Sequence, residues 1–278
     1  MPLSINTNIA SMTAQRSFLN SNAALETSFE RLSTGKRVNS SFDDAAGLAI
    51  GKDLESRVNG LNQAVRNVND GISMVQIMEG AYDEVTTILQ RMRDLAVQAA
   101  NESLTSTERT YLDNEQSKLA DAIDSVMNQA KFSNKDLAVA DSNTSVVIHS
   151  GADASDTITI TLSTTTTDDA DGMTVDASDI TLTSTANATS AIGHIDDALS
   201  QVAGQRAALG ASQSQLESTV RNLANVAENT AAAAGRVMDT DYAAETANLT
   251  KAQILQQAAT SILAQANAQP QAVLALLQ

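Results

Sequence analysis

The residues of this 278-residue sequence that could do chemistry are two histidines, one aspartate-rich loop and a few adjacent carboxylates. A helical zinc site of the H-E-x-x-H type needs both imidazoles on one helix face so that they reach the same ion. His149 and His194 stand 45 residues apart, one in a strand-like alternation and one at a helix start, so they form no such pair. A calcium loop needs oxygen donors at its first and twelfth positions as well as its third and fifth. With Asp169, Asp171 and Gly172 third, fifth and sixth, the outer positions fall on Thr167 and Ser178, and the cluster reads as a solvated acidic loop. Asp43 and Asp44 at a helix start serve as cap and dipole partners rather than as a general acid and base. No G-x-x-x-x-G-K-[ST] loop, G-x-S-x-G elbow or cysteine occurs. The sequence therefore reads as a non-enzyme with no metal and no other cofactor.

The elements that would hold these residues are mostly helices. Ile5, Ile9 and Met12 precede Phe18, Leu25, Phe29 and Leu32 in a helical stripe that stops near Gly35. Ser41 with Asp44 predicts a capping box, and a second helix can run from about 43 to 100, long enough at about 1.5 Å per residue to imply a rod. Thr105 and Glu108 predict another capping box, opening a third helix that ends near Lys131. The period then changes to two: SVVIH at 145–149, TITITL at 157–162 and DITLT at 179–183 read as strands around an exposed Thr- and Asp-rich turn. Helical patterning resumes near 188 with Ile192, Ile195, Leu199 and Val202. A last helix repeats Ile254, Ala258, Ile262 and Leu255, Ala259, Leu263. The expected fold is mainly α: a long antiparallel helical bundle or coiled-coil rod, with a small β-hairpin unit and paired N and C termini.

Composition narrows the partners. The net charge is -16, and residues 136–205 hold 11 acids with no Lys or Arg, so nucleic acid and anionic membranes are poor partners. Residues 1–15 and 252–278 carry no Asp, Glu, Lys or Arg. The C-terminal stretch is too rich in Gln, Asn, Ser and Thr for membrane insertion, and the N-terminus lacks the pattern of a cleaved signal peptide. Only seven aromatics accompany 46 alanines, so bulky core material is scarce. Apolar stripes on uncharged ends fit surfaces that become buried on self-association.

Four segments, SINTNIASMTAQRSF at 4–18, ERLSTGKRVNSSFDDAAGLAI at 30–50, LQRMRDLAVQAAN at 89–101 and TKAQILQQAATSILAQAN at 250–267, resemble the terminal signatures of bacterial flagellin. The resemblance implies a filament subunit for swimming motility, in a compact form without large outer domains. It would comprise a terminal coiled-coil domain (1–40 with 240–278), a helical core domain (41–142 with 186–239) and a hairpin with exposed turn (143–185). Polymerisation is expected to use Ile5, Ile9, Met12, Phe18, Leu25, Phe29, Leu32, Ile254, Leu255, Ile262 and Leu263. The resemblance also implies type III export as an unfolded chain without a cleaved signal, placing the protein outside the cell. Its partners would be further copies of itself, an export chaperone bound to the C-terminal segment, the filament cap and the hook-junction proteins. The segment at 89–101 resembles the part of flagellins recognised by Toll-like receptor 5, which maps onto Gln90, Arg91 and Leu95 with Glu115 and Lys118 on the next helix; the family's glutamate falls on Lys118. The 16 Ser and Thr in 157–190 raise O-glycosylation, with Thr164, Thr165, Thr166 and Thr167 in the turn. A hook-filament junction protein and a secreted coiled-coil binding module are the alternatives.

Overall fold

The computed structural model describes residues 7–137, 144–162 and 180–276. Its elements are α1 (Ile9–Thr34), α2 (Ala45–Ala99), α3 (Ser106–Gln129), β1 (Lys131–Phe132), β2 (Lys135–Asp136), β3 (Thr144–His149), β4 (Thr157–Leu162), α4 (Thr185–Met238) and α5 (Tyr242–Leu276). They form two compact units, one of residues 1–58 with 228–278 and one of residues 59–227.

The 59–227 unit is built on heptads. Along α2 the buried positions include Leu61, Val68, Val75, Tyr82, Leu89 and Ala96 at intervals of seven, interleaved with Ala64, Met78, Val85, Met92 and Ala99. This is the 3.5-residue period of a coiled-coil seam. Helix α4 answers with Ala188, Ile195, Val202, Leu209, Leu216 and Leu223, also seven apart. Arg93 donates to Asp196 at 2.6 Å and Arg206 pairs with Asp83 at 3.1 Å, so the two helices run antiparallel. Hydrogen bonding to Arg93 holds the Asp196 carboxyl below its ordinary range, while the same contact raises the Arg93 guanidinium.

Helix α3 opens on the expected capping box: the Thr105 hydroxyl accepts from the Glu108 N–H, and Glu108 accepts from the Thr105 N–H at 2.8 Å. The β3–β4 hairpin pairs Val146 with Ile160 and Ile148 with Ile158, and its face of Val146, Ile148 and Ile160 is buried. Gly71 on α2 makes room for it, since a Cβ there would lie 3.2 Å from the Ile148 side chain.

Three local expectations change. Ser41 is not the cap of α2: Asp44 is, accepting from the Gly47 N–H at 2.9 Å, while Asp43 accepts from the Ser40 N–H and hydroxyl. The Ser40–Asp43 hydrogen bonds close a turn one step earlier than a Ser41 cap would require, and they hold the Asp43 carboxyl below its ordinary range. Residues 180–183 form no strand. Ile180 and Leu182 are buried in the helical core and the Leu182 N–H donates to Asp113 at 2.6 Å, so side-chain packing and a side-chain acceptor replace a partner strand. Conversely, β1 and β2 form a short hairpin with Ser133 at φ 56°, which the sequence reading did not anticipate. The acidic turn at 163–179 lies outside the described residues.

The capping box gives a pH-dependent prediction. Hydrogen bonds from Thr105 lower the Glu108 carboxyl, so this contribution to stability is fully present above its ordinary value of 4.5 and is lost as pH falls through the depressed folded-state value. Thr105→Ala is expected to cost about 1 kcal/mol at neutral pH in denaturant unfolding. Glu108→Gln should flatten the acid limb of the same measurement.

Candidate assembly surface

Helix α1 begins where Asn8 accepts from the Ser11 N–H at 3.0 Å and ends at Gly35, whose φ of 71° and N–H to the Arg31 carbonyl make a left-handed cap. The chain then crosses the end of α4. The Arg37 N–H donates to the Met238 carbonyl, the Thr240 N–H donates to the Gly35 carbonyl, and the Lys36 and Asp239 backbones pair in a single antiparallel β-bridge. Asp241 caps α5 by accepting from Ala243 and Ala244. Both helices of the pair thus leave one hydrogen-bonded junction, anchored by buried Val38 and Met238.

The α1–α5 pair is an antiparallel coiled coil with small residues in its seam. On α1 the inward positions are Ser11, Ala14, Phe18, Ser21, Leu25, Ser28 and Leu32, spaced three and four apart. On α5 they are Glu245, Leu249, Ala252, Gln256, Ala259, Leu263 and Ala266. The buried ones are Ala14, Ser28, Glu245, Ala252, Ala259 and Ala266, whereas the larger side chains are half-buried. Polar ties fix the register. Asn8 Nδ2 donates to the Ala266 carbonyl at 2.7 Å, Ser11 to Asn267 at 2.8 Å, Gln256 Nε2 to Asn22 at 2.9 Å, and Arg31 pairs with Glu245 at 3.8 Å.

The expected polymerisation residues divide between two environments. Phe18, Leu25, Leu32 and Leu263 line the seam. Ile9, Met12, Phe29, Ile254, Leu255 and Ile262 are exposed, with Ile254 at 60 % and Ile262 at 55 %, and Leu19 joins them at 60 %. Ile5 lies outside the described residues. The sequence reading missed the seam members Ser28, Glu245, Ala252, Gln256 and Ala266. Their signal was a seven-residue recurrence of small and polar residues, not a run of bulky ones.

The second group of expected residues lies on the 59–227 unit. Gln90, Arg91, Glu115 and Lys118 are exposed, while Leu95 is only 1 % exposed and belongs to the core. Arg91 donates from Nε and Nη2 to one Glu115 oxygen, the shorter at 2.7 Å, linking α2 to α3. Lys118 pairs with Asp121 at 2.8 Å, which raises its ammonium above the ordinary range. Thr164, Thr165, Thr166 and Thr167 lie outside the described residues. Among the described residues no helix is long and apolar enough to cross a membrane, and no group of three metal-ligating side chains occurs.

Comparison with known proteins agrees with this geometry. The family model described as the bacterial flagellin N-terminal helical region matches residues 5–144, and that of the C-terminal helical region matches residues 192–277. A flagellin of Halalkalibacterium halodurans is 42 % identical over 275 residues, covering 99 % of both chains. A flagellin of Bacillus subtilis is 38 % identical over 302 residues, again covering 99 % of both. Among solved structures, a candidate flagellar hook-associated protein from Vibrio parahaemolyticus shares the fold with a TM-score of 0.60 at 17 % identity, over 71 % of this chain and 100 % of that one.

The seam can be tested by overfilling it. Ala259 is buried against α1, so Ala259→Leu should force the helices apart and cost about 1–3 kcal/mol, read as a lower melting midpoint for the helix pair by circular dichroism. The exposed Ile262→Ser, one turn away from the same interface, should leave that midpoint within about 0.5 kcal/mol of the parent.

Proposed function

Because the chain belongs to the bacterial flagellin family, a family of structural proteins, we propose that its α1–α5 pair carries the contacts by which it polymerises. The protein is a structural subunit of the flagellar filament, the extracellular polymer that members of this family form. The observation that supports the α1–α5 pair as its assembly element is the placement of Ile9, Met12, Leu19, Ile254, Leu255 and Ile262. These large apolar side chains face outward on helices that carry no charge in residues 7–15 and 252–268. A monomer that leaves such stripes in water is stabilised when a neighbouring copy covers them.

The same reading assigns residues 1–40 with 240–278 to the inner contacts of the filament, 41–142 with 186–239 to its helical core, and 143–185 to the displayed surface, where Thr164 to Thr167 would accept O-linked glycans. Export as an unfolded chain is supported by the lack of cysteine and of proline between residues 3 and 269. An export chaperone would take the exposed Ile254, Leu255 and Ile262 together with Leu263 before folding. The cap and the hook-junction proteins would meet the ends of the growing polymer.

A chain lacking residues 252–278 should keep the helical signal and unfolding transition of its 59–227 unit yet form no filaments. Filaments from it in electron micrographs refute the assignment. Recognition by Toll-like receptor 5 would use the exposed Gln90, Arg91, Glu115 and Lys118, with Leu95 holding α2 in place from the core. In a receptor reporter assay Arg91→Ala should weaken the response and Lys118→Glu should strengthen it; no response to the parent chain would end this part of the proposal.

A further inference from the structure

The register of the α1–α5 seam decides on which side of the pair each exposed apolar stripe lies. In an antiparallel coiled coil, residues flanking the seam fall on two sides, each made from the same flank of both helices. One side is marked by Asn22, tied to Gln256, and by Asn267, tied to Ser11. Asn8, Gln15, Asn22 and Phe29 form its row on α1 at intervals of seven, and Met12 and Leu19 form the next row outward on the same flank. The other side is marked by Arg31, tied to Glu245. On α5 that flank carries Leu255 and Ile262, seven residues apart, with Ala258 between them. Met12 at 63 % exposure and Leu19 therefore lie on the opposite face from Leu255 and Ile262.

The two stripes overlap in height, offset by about one helical turn. The ties pair residue 11 with 267 and residue 22 with 256, so Met12 and Leu19 stand level with residues 266 and 259, and Leu255 and Ile262 with residues 23 and 16. Within residues 7–25 and 252–268 Arg16 is the only charged residue. It is exposed and, four residues after Met12 and three before Leu19, borders the Met12–Leu19 stripe.

An open-ended polymer needs two different faces that complement one another, whereas one self-complementary face closes a dimer. We infer that the Leu255–Ile262 face of one copy docks on the Met12–Leu19 face of the next, so that helix pairs join side by side, each copy offering both faces. This rests on the filament reading and adds the identity and order of the docking faces. With the two stripes offset by about one turn on opposite faces, each docking step shifts the next copy along the pair by about 6 Å, and the contact repeats with that shift.

The test uses two full-length variants, Leu255→Glu/Ile262→Glu and Met12→Lys/Leu19→Lys, and fragments of parental filament as seeds. All four positions are exposed, so each variant should keep the parental circular dichroism spectrum. Alone, each should elongate seeds with a critical concentration raised at least about tenfold, because every docked pair would place two unpaired charges against an apolar face. Mixed one to one, they should elongate to within about threefold of the parent, since acidic and basic faces then meet and the unaltered faces meet each other. The inference is overturned if either variant alone elongates like the parent, or if the mixture remains as blocked as its components. It is also overturned if Leu255→Glu/Ile262→Glu is rescued instead by Leu255→Lys/Ile262→Lys, which would mean that like faces pair. Should a double variant lose helix, Leu255→Glu and Leu19→Lys serve as single substitutions with the same expected pattern. A parent chain that does not elongate seeds would instead count against the filament reading itself.

Discussion

The seam between α1 and α5 is closed largely by alanines, serines and half-buried leucines, and a seam of that kind takes little apolar surface out of water. At about 25 cal/mol per Å² a buried alanine methyl contributes far less than a buried leucine or phenylalanine. The contrast is internal to the chain. Along α2 the same heptad spacing carries Val68, Val75, Tyr82 and Leu89, all at most 1 % exposed. Small residues let α1 and α5 approach closely enough for Asn8, Ser11, Asn22 and Arg31 to reach across, so polar ties set the register. The large apolar side chains of the pair are left on its outer faces. The narrow seam and the exposed stripes are two results of one choice of residues.

Charge placement follows the same logic. Copies of a chain with net charge -16 repel one another, and that repulsion is strongest where acids are close and unscreened. Residues 136–205, with 11 acids and no Lys or Arg, hold most of the net negative charge, while the exposed stripes sit on segments almost free of charge. Contact between copies at those stripes requires no desolvation of charged groups, which would otherwise cost several kcal/mol per ion. Within the 59–227 unit the ion pairs Arg93–Asp196 and Arg91–Glu115 hold α4 and α3 to α2.

Much of this architecture is legible from residue types alone, and the exceptions have physical causes. Thr105 with Glu108, Gly35, and the alternation of SVVIH and TITITL each encode a local hydrogen-bonding need, and the corresponding cap, stop and hairpin appear where the sequence places them. DITLT carries the same alternation, but with Asp113 accepting from Leu182 its apolar residues pack on helices without a strand. Asp44 rather than Ser41 caps α2 because the Ser40–Asp43 turn shifts the helix start. The assembly surface shows the clearest limit. A reading weighted toward bulky residues places Ile254, Leu255 and Ile262 together with Leu263, whereas the seam runs through Ala252, Gln256, Ala259 and Ala266. Small residues mark the inside of this pair, and their seven-residue recurrence carries that signal where bulky residues do not.

With the proposed assembly through α1 and α5, that helix pair is incomplete as a monomer and is completed by neighbouring copies. Amide hydrogen exchange measured on monomer and filament tests this directly. Residues 252–268 should exchange at least about a hundredfold more slowly in the filament, while residues 75–99 of α2, already buried within one chain, should change far less. Equal protection of residues 252–268 in the two states would show that the pair is complete on its own and contradict the account.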